Sequence, residues 1–179
     1  MEEGGRPLTD ADATLLSRLQ SRDPSAWTEF YDLHAADLRA FIRRIGGRDA
    51  DDLLGETMVQ VVRDIRRFRG TPSELRAWTF GIARNRVIDE SRRRKVRPQE
   101  VEASDHDAVA PAQDFVMPDR EMLSALLDSL TPDQKEVVWL RFGADLSVEE
   151  TARAVGKNPD AVAALTMRAL RRLRKLAAD

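Results

Sequence analysis

Four times in 179 residues a helix-capping side chain stands directly before a proline: Asp23-Pro24, Thr71-Pro72, Thr131-Pro132 and Asn158-Pro159. The capping oxygen accepts from an N–H that the first helical turn leaves unsatisfied, and proline in the next position lacks a donor that would be orphaned there anyway. Two of these sites extend into reciprocal capping boxes, Thr71-Pro72-Ser73-Glu74 and Thr131-Pro132-Asp133-Gln134, and a third box without proline reads Ser147-Val148-Glu149-Glu150. No period-2 alternation of useful length lies between them, so the pattern predicts an all-α chain.

The spacing predicts helices over 11–21, 24–45, 49–66, 74–95, 119–129, 132–142, 148–155 and 159–176, with a short loop at 67–73. Leu54, Met58, Val61 and Ile65 recur at 4-3-4 spacing and form one apolar stripe; Leu75, Trp78 and Ile82 form another. Residues 147–168 have the order of a helix-turn-helix. Ser147 caps, Ala152 is small where two helices cross, Gly156 turns the chain, and Val148, Val155, Val162 and Leu165 supply a shared core. Residues 96–118 carry prolines at 98, 111 and 118 and no periodicity, which reads as an extended linker. The expected organisation is therefore two small helical domains, 8–95 and 119–179, joined by an acidic flexible linker, with the helix-turn-helix in the second. Phe115-Val116-Met117, apolar within the linker, fits either a staple onto the next helix or a segment that docks on a partner.

Charge is sorted along this chain. The net is only −2, but residues 1–62 carry −5, residues 63–97 carry +8, residues 98–133 carry −8 and residues 134–179 carry +3. Arg63, Arg66, Arg67 and Arg69 lead into the helix at 74–95, Arg76, Arg84 and Arg86 lie along it, and Arg92-Arg93-Arg94-Lys95 end it. Cations at a helix C-terminus are ordinary dipole partners, but arginines at both ends and in the middle fit a phosphate backbone, whose counterions they release. Phe68, Trp78 and Phe80 are interleaved, and aromatic faces stack on unpaired bases. Trp78 shares the Leu75–Ile82 stripe and fits a core position as well as a platform; Phe80 lies off that stripe and is the better stacking candidate. Asp49, Asp51, Asp52 and Glu56 at the start of the third helix are either dipole partners or a face for a basic protein partner. The −8 stretch could lie over the +8 stretch in the free protein.

Other function classes are constrained. There is no cysteine, hence no disulfide, thiolate metal site or cysteine nucleophile. No glycine-rich phosphate loop is present, and the two histidines, His34 and His106, fall in different segments. Neither catalytic residues, a metal site, a cofactor nor a small-molecule substrate is expected. The N-terminus has no basic, then apolar, leader pattern and no apolar run approaches a membrane span, so the chain reads as cytoplasmic without membrane insertion.

The segments Asp49-Ala50-Asp51-Asp52-Leu53-Leu54-Gly55-Glu56-Thr57, Arg67-Phe68-Arg69-Gly70, Trp78-Thr79-Phe80-Gly81-Ile82-Ala83-Arg84-Asn85-Arg86-Val87-Ile88-Asp89 and Arg92-Arg93-Arg94 together resemble the second conserved region of bacterial sigma factors. Leu130-Thr131-Pro132 through Leu173-Arg174 resembles the fourth region, and the short acidic linker between them resembles the extracytoplasmic-function class. The resemblance implies a transcription initiation factor whose partners are core RNA polymerase, promoter DNA and an anti-sigma protein. It implies polymerase-clamp contacts at Asp51, Asp52, Leu53, Glu56 and Thr57. It implies recognition and melting of the minus-ten element by Arg69, Ser73, Arg76, Phe80, Arg84 and Asn85, with a base extruded into the loop. It implies minus-thirty-five contacts from Asn158, Ala161, Ala164, Thr166, Arg168 and Arg171 in the major groove. The sequence departs from the family pattern at Gly55, where glutamine is usual, and in the recognition helix, where Ala163 replaces the common lysine or arginine and Met167 a polar residue. Alanine cannot hydrogen-bond guanine, so weak minus-thirty-five reading is expected. Two rivals are a helix-turn-helix regulator that binds duplex DNA without polymerase, and a sigma-like interaction module.

Overall fold

The computed structural model describes residues 10–96 and 127–178, and every regular element among them is helical. The order is α1 (Asp10–Gln20), α2 (Pro24–Arg44), α3 (Ala50–Asp64), a 3₁₀ turn (Ile65–Arg67), α4 (Pro72–Val96), α5 (Pro132–Val138), a π turn (Trp139–Gly143), α6 (Val148–Val155) and α7 (Pro159–Ala178). The acidic linker, the expected helix at 119–129 up to residue 126, and Phe115-Val116-Met117 lie outside the described residues.

The punctuation acts as the sequence suggests. Asp23 accepts from the Ser25 N–H and Thr131 and Ser147 each close a complete capping box. At α4 the Thr71 N–H donates to Glu74 at 2.7 Å, so that helix begins at Pro72, two residues earlier than the spacing predicts. The expected helix at 132–142 is a correction: it stops at Val138 and widens into a π turn, in which the Ala144 N–H reaches back to the Trp139 carbonyl at 2.9 Å. That wider turn lets Leu140 point fully into the core while Trp139 packs beside it.

The α6–α7 pair is a helix-turn-helix. Gly156 holds φ +66 at the end of α6, and the Lys157 N–H bonds the Ala152 carbonyl at 3.0 Å, closing the turn. A side chain in that backbone conformation is strained, so Gly156→Ala is expected to cost about 1–2 kcal/mol, read as a lowered urea midpoint with unchanged slope. An unchanged midpoint would mean that the turn is not held in this conformation.

The stripes find different partners. Val61, Ile65 and Leu75 pack with Leu15, Leu19, Ala26 and Phe30 under α1 and α2, and Trp78 and Phe68 close the edge of this cluster with rings 5.1 Å apart. Leu130, Val138 and Ala169 join α5 to α7 in a small cluster. The largest cluster is shared by the two halves. Leu38, Phe41, Ile42, Leu53, Leu54, Phe80, Ala83 and Val87 from the first half pack with Val137, Leu140, Leu146, Ala152, Ala154, Val155 and Val162 from the second. The two domains therefore meet through one continuous core, with α6 lying along α4.

Candidate nucleic-acid interface

The loop between α3 and α4 presents its cations to solvent. Arg66, Arg67 and Arg69 are exposed, and the Arg69 guanidinium donates to the Arg66 and Phe68 carbonyls at 2.8 and 3.0 Å, which stiffens the loop. Gln20 of α1 donates to the Ile65 and Phe68 carbonyls at 3.4 and 3.2 Å. Leu16, Gln20, Arg66, Phe68, Arg69 and Gly70 line an open hollow of about 460 Å³. A hollow lined by one aromatic ring, one leucine and two arginines suits a flat base with a phosphate beside it.

The next turns of α4 are occupied from the other side. Phe80 is 1% exposed, with its ring 5.3 Å from Phe41 and 5.9 Å from Trp139. As a free stacking platform Phe80 is therefore a correction: in this arrangement it is core. The reason is that α4 carries two apolar faces. Leu75 with Trp78 and Ile82 faces α1–α3, while Phe80, Ala83 and Val87, at 3-4 spacing, face α2 and the second domain. Gly81 permits the contact, because a Cβ there would lie 3.3 Å from the Ala154 carbonyl oxygen of α6. Arg84 donates to Glu136 at 2.6 Å, and Arg153 of α6 pairs with Glu74 at 3.1 Å. Arg76 lies 3.7 Å from Asp37, Ser73 is half-buried beside Thr71, and Asn85 is exposed.

On α3, Asp51, Asp52 and Glu56 are exposed, and Asp51 holds Arg39 at 2.6 Å. Leu53 and Thr57 are buried, and the Thr57 hydroxyl donates to the Leu53 carbonyl at 2.7 Å. These two support the helix from inside instead of forming its outer surface, because they belong to the inward stripe one residue away from the acids. The outer face holds something the sequence reading missed: Val59 and Val62, 49% and 50% exposed, follow Asp52 and Glu56 at helical spacing. Their signal was present as apolar residues out of phase with the Leu54–Ile65 stripe. Arg86 ties this helix to α4 through Gln60 at 2.8 Å and Glu56 at 4.0 Å. At Gly55 a side chain would meet nothing within 4 Å.

The α7 helix shows a third surface. Ala164, Arg168 and Arg171 are exposed and Ala161 is half-buried. Asn158 and Thr166 are engaged with their own helix: Asn158 accepts from the Ala161 N–H at 2.7 Å and Thr166 donates to the Val162 carbonyl at 2.8 Å.

Residues 30–97 match the sigma-70 region 2 family and residues 120–173 match sigma-70 region 4. The chain is 36% identical over 195 aligned positions to the extracytoplasmic-function (ECF) RNA polymerase sigma factor BldN of Streptomyces coelicolor, covering 97% of this chain and 70% of the relative. The chain belongs to the ECF sigma factors. It is also 31% identical to SigX of Bacillus subtilis over 81% of this chain and 80% of that one. Among solved structures, the sigma factor RpoE in complex with the anti-sigma factor NepR from Bartonella quintana matches with TM-score 0.68 and 25% identity, over 84% of this chain and 96% of that one. CnrH, in complex with the cytosolic domain of CnrY, shares the fold with TM-score 0.67 at 23% identity, over 94% and 98% of the two chains. No described helix of this sigma factor is long and apolar enough to cross a membrane.

One pH effect follows from the domain contact. Burial raises the Glu136 carboxyl above its ordinary value of 4.5, more than the neighbouring Arg84 guanidinium lowers it. The folded chain thus holds this proton more tightly than the unfolded chain does. Glu136 contributes stability that is fully present below about pH 4.5 and declines as pH rises through the raised folded value. Glu136→Gln is expected to remove that declining part from a urea-midpoint series taken upward from pH 4.5. Parallel wild-type and variant curves would show that Glu136 does not titrate differently in the fold.

Proposed function

We propose that this ECF sigma factor binds core RNA polymerase through the outer face of α3 and directs it to promoters with two DNA-reading surfaces. Asp51, Asp52 and Glu56, joined by exposed Val59 and Val62, form the polymerase-facing surface, with Leu53 and Thr57 holding it in shape. Exposed acids followed along one helix face by exposed valines combine charge for a basic partner with apolar surface to bury. The hollow at Phe68–Gly70 takes an extruded base of the minus-ten element, Arg69, Ser73, Arg76 and Asn85 hold the opened strand, and α7 enters the major groove at the minus-thirty-five element. The work is binding and strand opening in the cytoplasm, not catalysis.

The observation that carries this reading is the pair of sigma regions in family order, each ending in an arginine-bearing helix. The compact arrangement is then a resting form, because α6 and Glu136 cover Phe80 and Arg84 on the minus-ten helix. An anti-sigma partner of the kind that holds the RpoE relative is the expected regulator. Run-off transcription with purified core polymerase on a promoter library tests the reading. Specific transcripts that require this chain are expected; no transcript, with core binding confirmed, would overturn it.

A further inference from the structure

We propose that the recognition helix α7 reads its DNA element through thymine methyl groups, with Ala163, Ala164 and Met167 as the reading surface and Asp160 selecting a neighbouring cytosine. This inference rests on the minus-thirty-five role proposed above.

The face of α7 opposite its core settles which side chains are available. Val162 and Ala169 are fully buried and Leu165 is half-buried, so that side belongs to the domain core. Asp160, Ala163, Ala164, Met167, Arg168 and Arg171 are all exposed, and their spacing of 3, 1, 3, 1 and 3 residues places them on one outer stripe. Met167 is 57% exposed. Asn158 and Thr166 fall off this stripe: the Asn158 Oδ1 accepts from the Ala161 N–H at 2.7 Å at the helix start, which leaves its amide donors at the N-terminal edge, and the Thr166 hydroxyl donates to the Val162 carbonyl at 2.8 Å. Over the first two turns the stripe therefore offers one carboxylate, two methyl groups and a thioether, and no side-chain donor.

Each base pair shows a distinct pattern in the major groove. Guanine presents two acceptors and must be met by a donor; the thymine C5 methyl is the apolar feature of the groove; cytosine N4 is a donor that a carboxylate accepts. The Ala163–Ala164–Met167 part of the stripe has no donor for guanine and is complementary to thymine. Arg168 directly follows Met167, and Arg171 lies one turn beyond it. Arg168 folds its Nε back onto the Ala164 carbonyl at 3.2 Å, leaving the rest of the guanidinium for the phosphate flank, where it adds affinity without sequence information. The stripe is open in the compact arrangement, whereas the minus-ten face of α4 is not.

The test uses holoenzyme assembled from the full chain and core polymerase, with duplex promoters randomised across the upstream element. Bound duplexes are sequenced, then remade with deoxyuridine in place of each thymidine, which removes the methyl and nothing else. Thymine enrichment is expected, with affinity falling about four-fold per methyl removed in the positions facing Ala163 and Ala164. Ala163→Arg, at an exposed site that leaves the fold intact, is expected to shift the selected base toward guanine and abolish the uracil effect there. Selection of a G·C pair at the positions facing Ala163 and Ala164, equal affinity for uracil and thymine duplexes, or no upstream preference at all would each overturn methyl reading. Run-off transcripts from the same complexes report separately on initiation: transcripts without a uracil effect reject this inference and keep the initiation role, while methyl-dependent binding without transcripts does the reverse.

Discussion

Phe80→Ala is expected to destabilise the chain by about 3–5 kcal/mol, the range for removing a fully buried phenyl ring. The ring is closed in by Phe41 and Trp139, so truncation leaves a void bounded on both sides of the domain contact. Rigid helices cannot collapse fully into such a space, which places the loss toward the larger values. The measurement is a urea titration followed by circular dichroism, with tryptophan fluorescence as a second probe. A core role predicts a large drop in the midpoint. A role confined to stacking on DNA predicts almost none, together with a selective loss of promoter opening. A change below about 1 kcal/mol would remove Phe80 from the core.

The second large effect concerns the domain contact alone. Gly81→Gln introduces a side chain where α4 already lies against the α6 backbone, with its Cβ 3.3 Å from the Ala154 carbonyl oxygen. The atom in the way is main chain in a short helix, so it cannot rotate aside. Overpacking of this kind costs about 1–3 kcal/mol, which lowers the ratio of compact to separated domains about 5- to 150-fold. Within α4 the change is favourable, since glycine is a poor helix former by about 1 kcal/mol. The expected outcome is a larger radius of gyration in solution scattering, a red shift of Trp139 emission in a chain whose Trp27 and Trp78 are replaced by Phe, and stronger binding to minus-ten single strands, with unchanged helix content. An unchanged radius of gyration together with unchanged Trp139 emission would show that the domains accommodate the side chain without separating.

These two neighbours on α4 also show what the sequence could and could not reveal. Helix starts were legible because a cap, a proline and a reciprocal acid or amide are local chemistry, and Thr71, Thr131 and Ser147 form their predicted bonds. The stripe from Leu54 to Ile65 was legible because one face of α3 is buried. On α4 the apolar residues fall on two faces, so Phe80 looked out of phase with Leu75, Trp78 and Ile82. What it packs against, Trp139, lies 59 positions further on, beyond any local pattern. The pairing of Arg84 with Glu136 was hidden for the same reason: a row of arginines fits phosphate, and the sequence does not mark which member is already held by a carboxylate. Conversely the family resemblance puts Leu53 and Thr57 among the polymerase contacts with Asp52 and Glu56, and it carries no information on which side of the helix each faces. A helix turns adjacent residues 100° apart, and the structure sends these two inward.

On the resting-form reading proposed above, the contact of Phe80 with Phe41 and Trp139 sets stability and promoter affinity against each other. In the compact form the ring is part of what keeps the chain folded; on an opened promoter the face around it must be uncovered. The apparent affinity for any partner that requires separated domains is the intrinsic affinity multiplied by the fraction already separated. A substitution that packs Phe41, Phe80 and Trp139 more tightly therefore gives a longer-lived protein that holds DNA less well, and one that loosens them gives the opposite. On that reading, residues in this cluster are constrained twice, by packing in the compact form and by the need to come apart on a promoter.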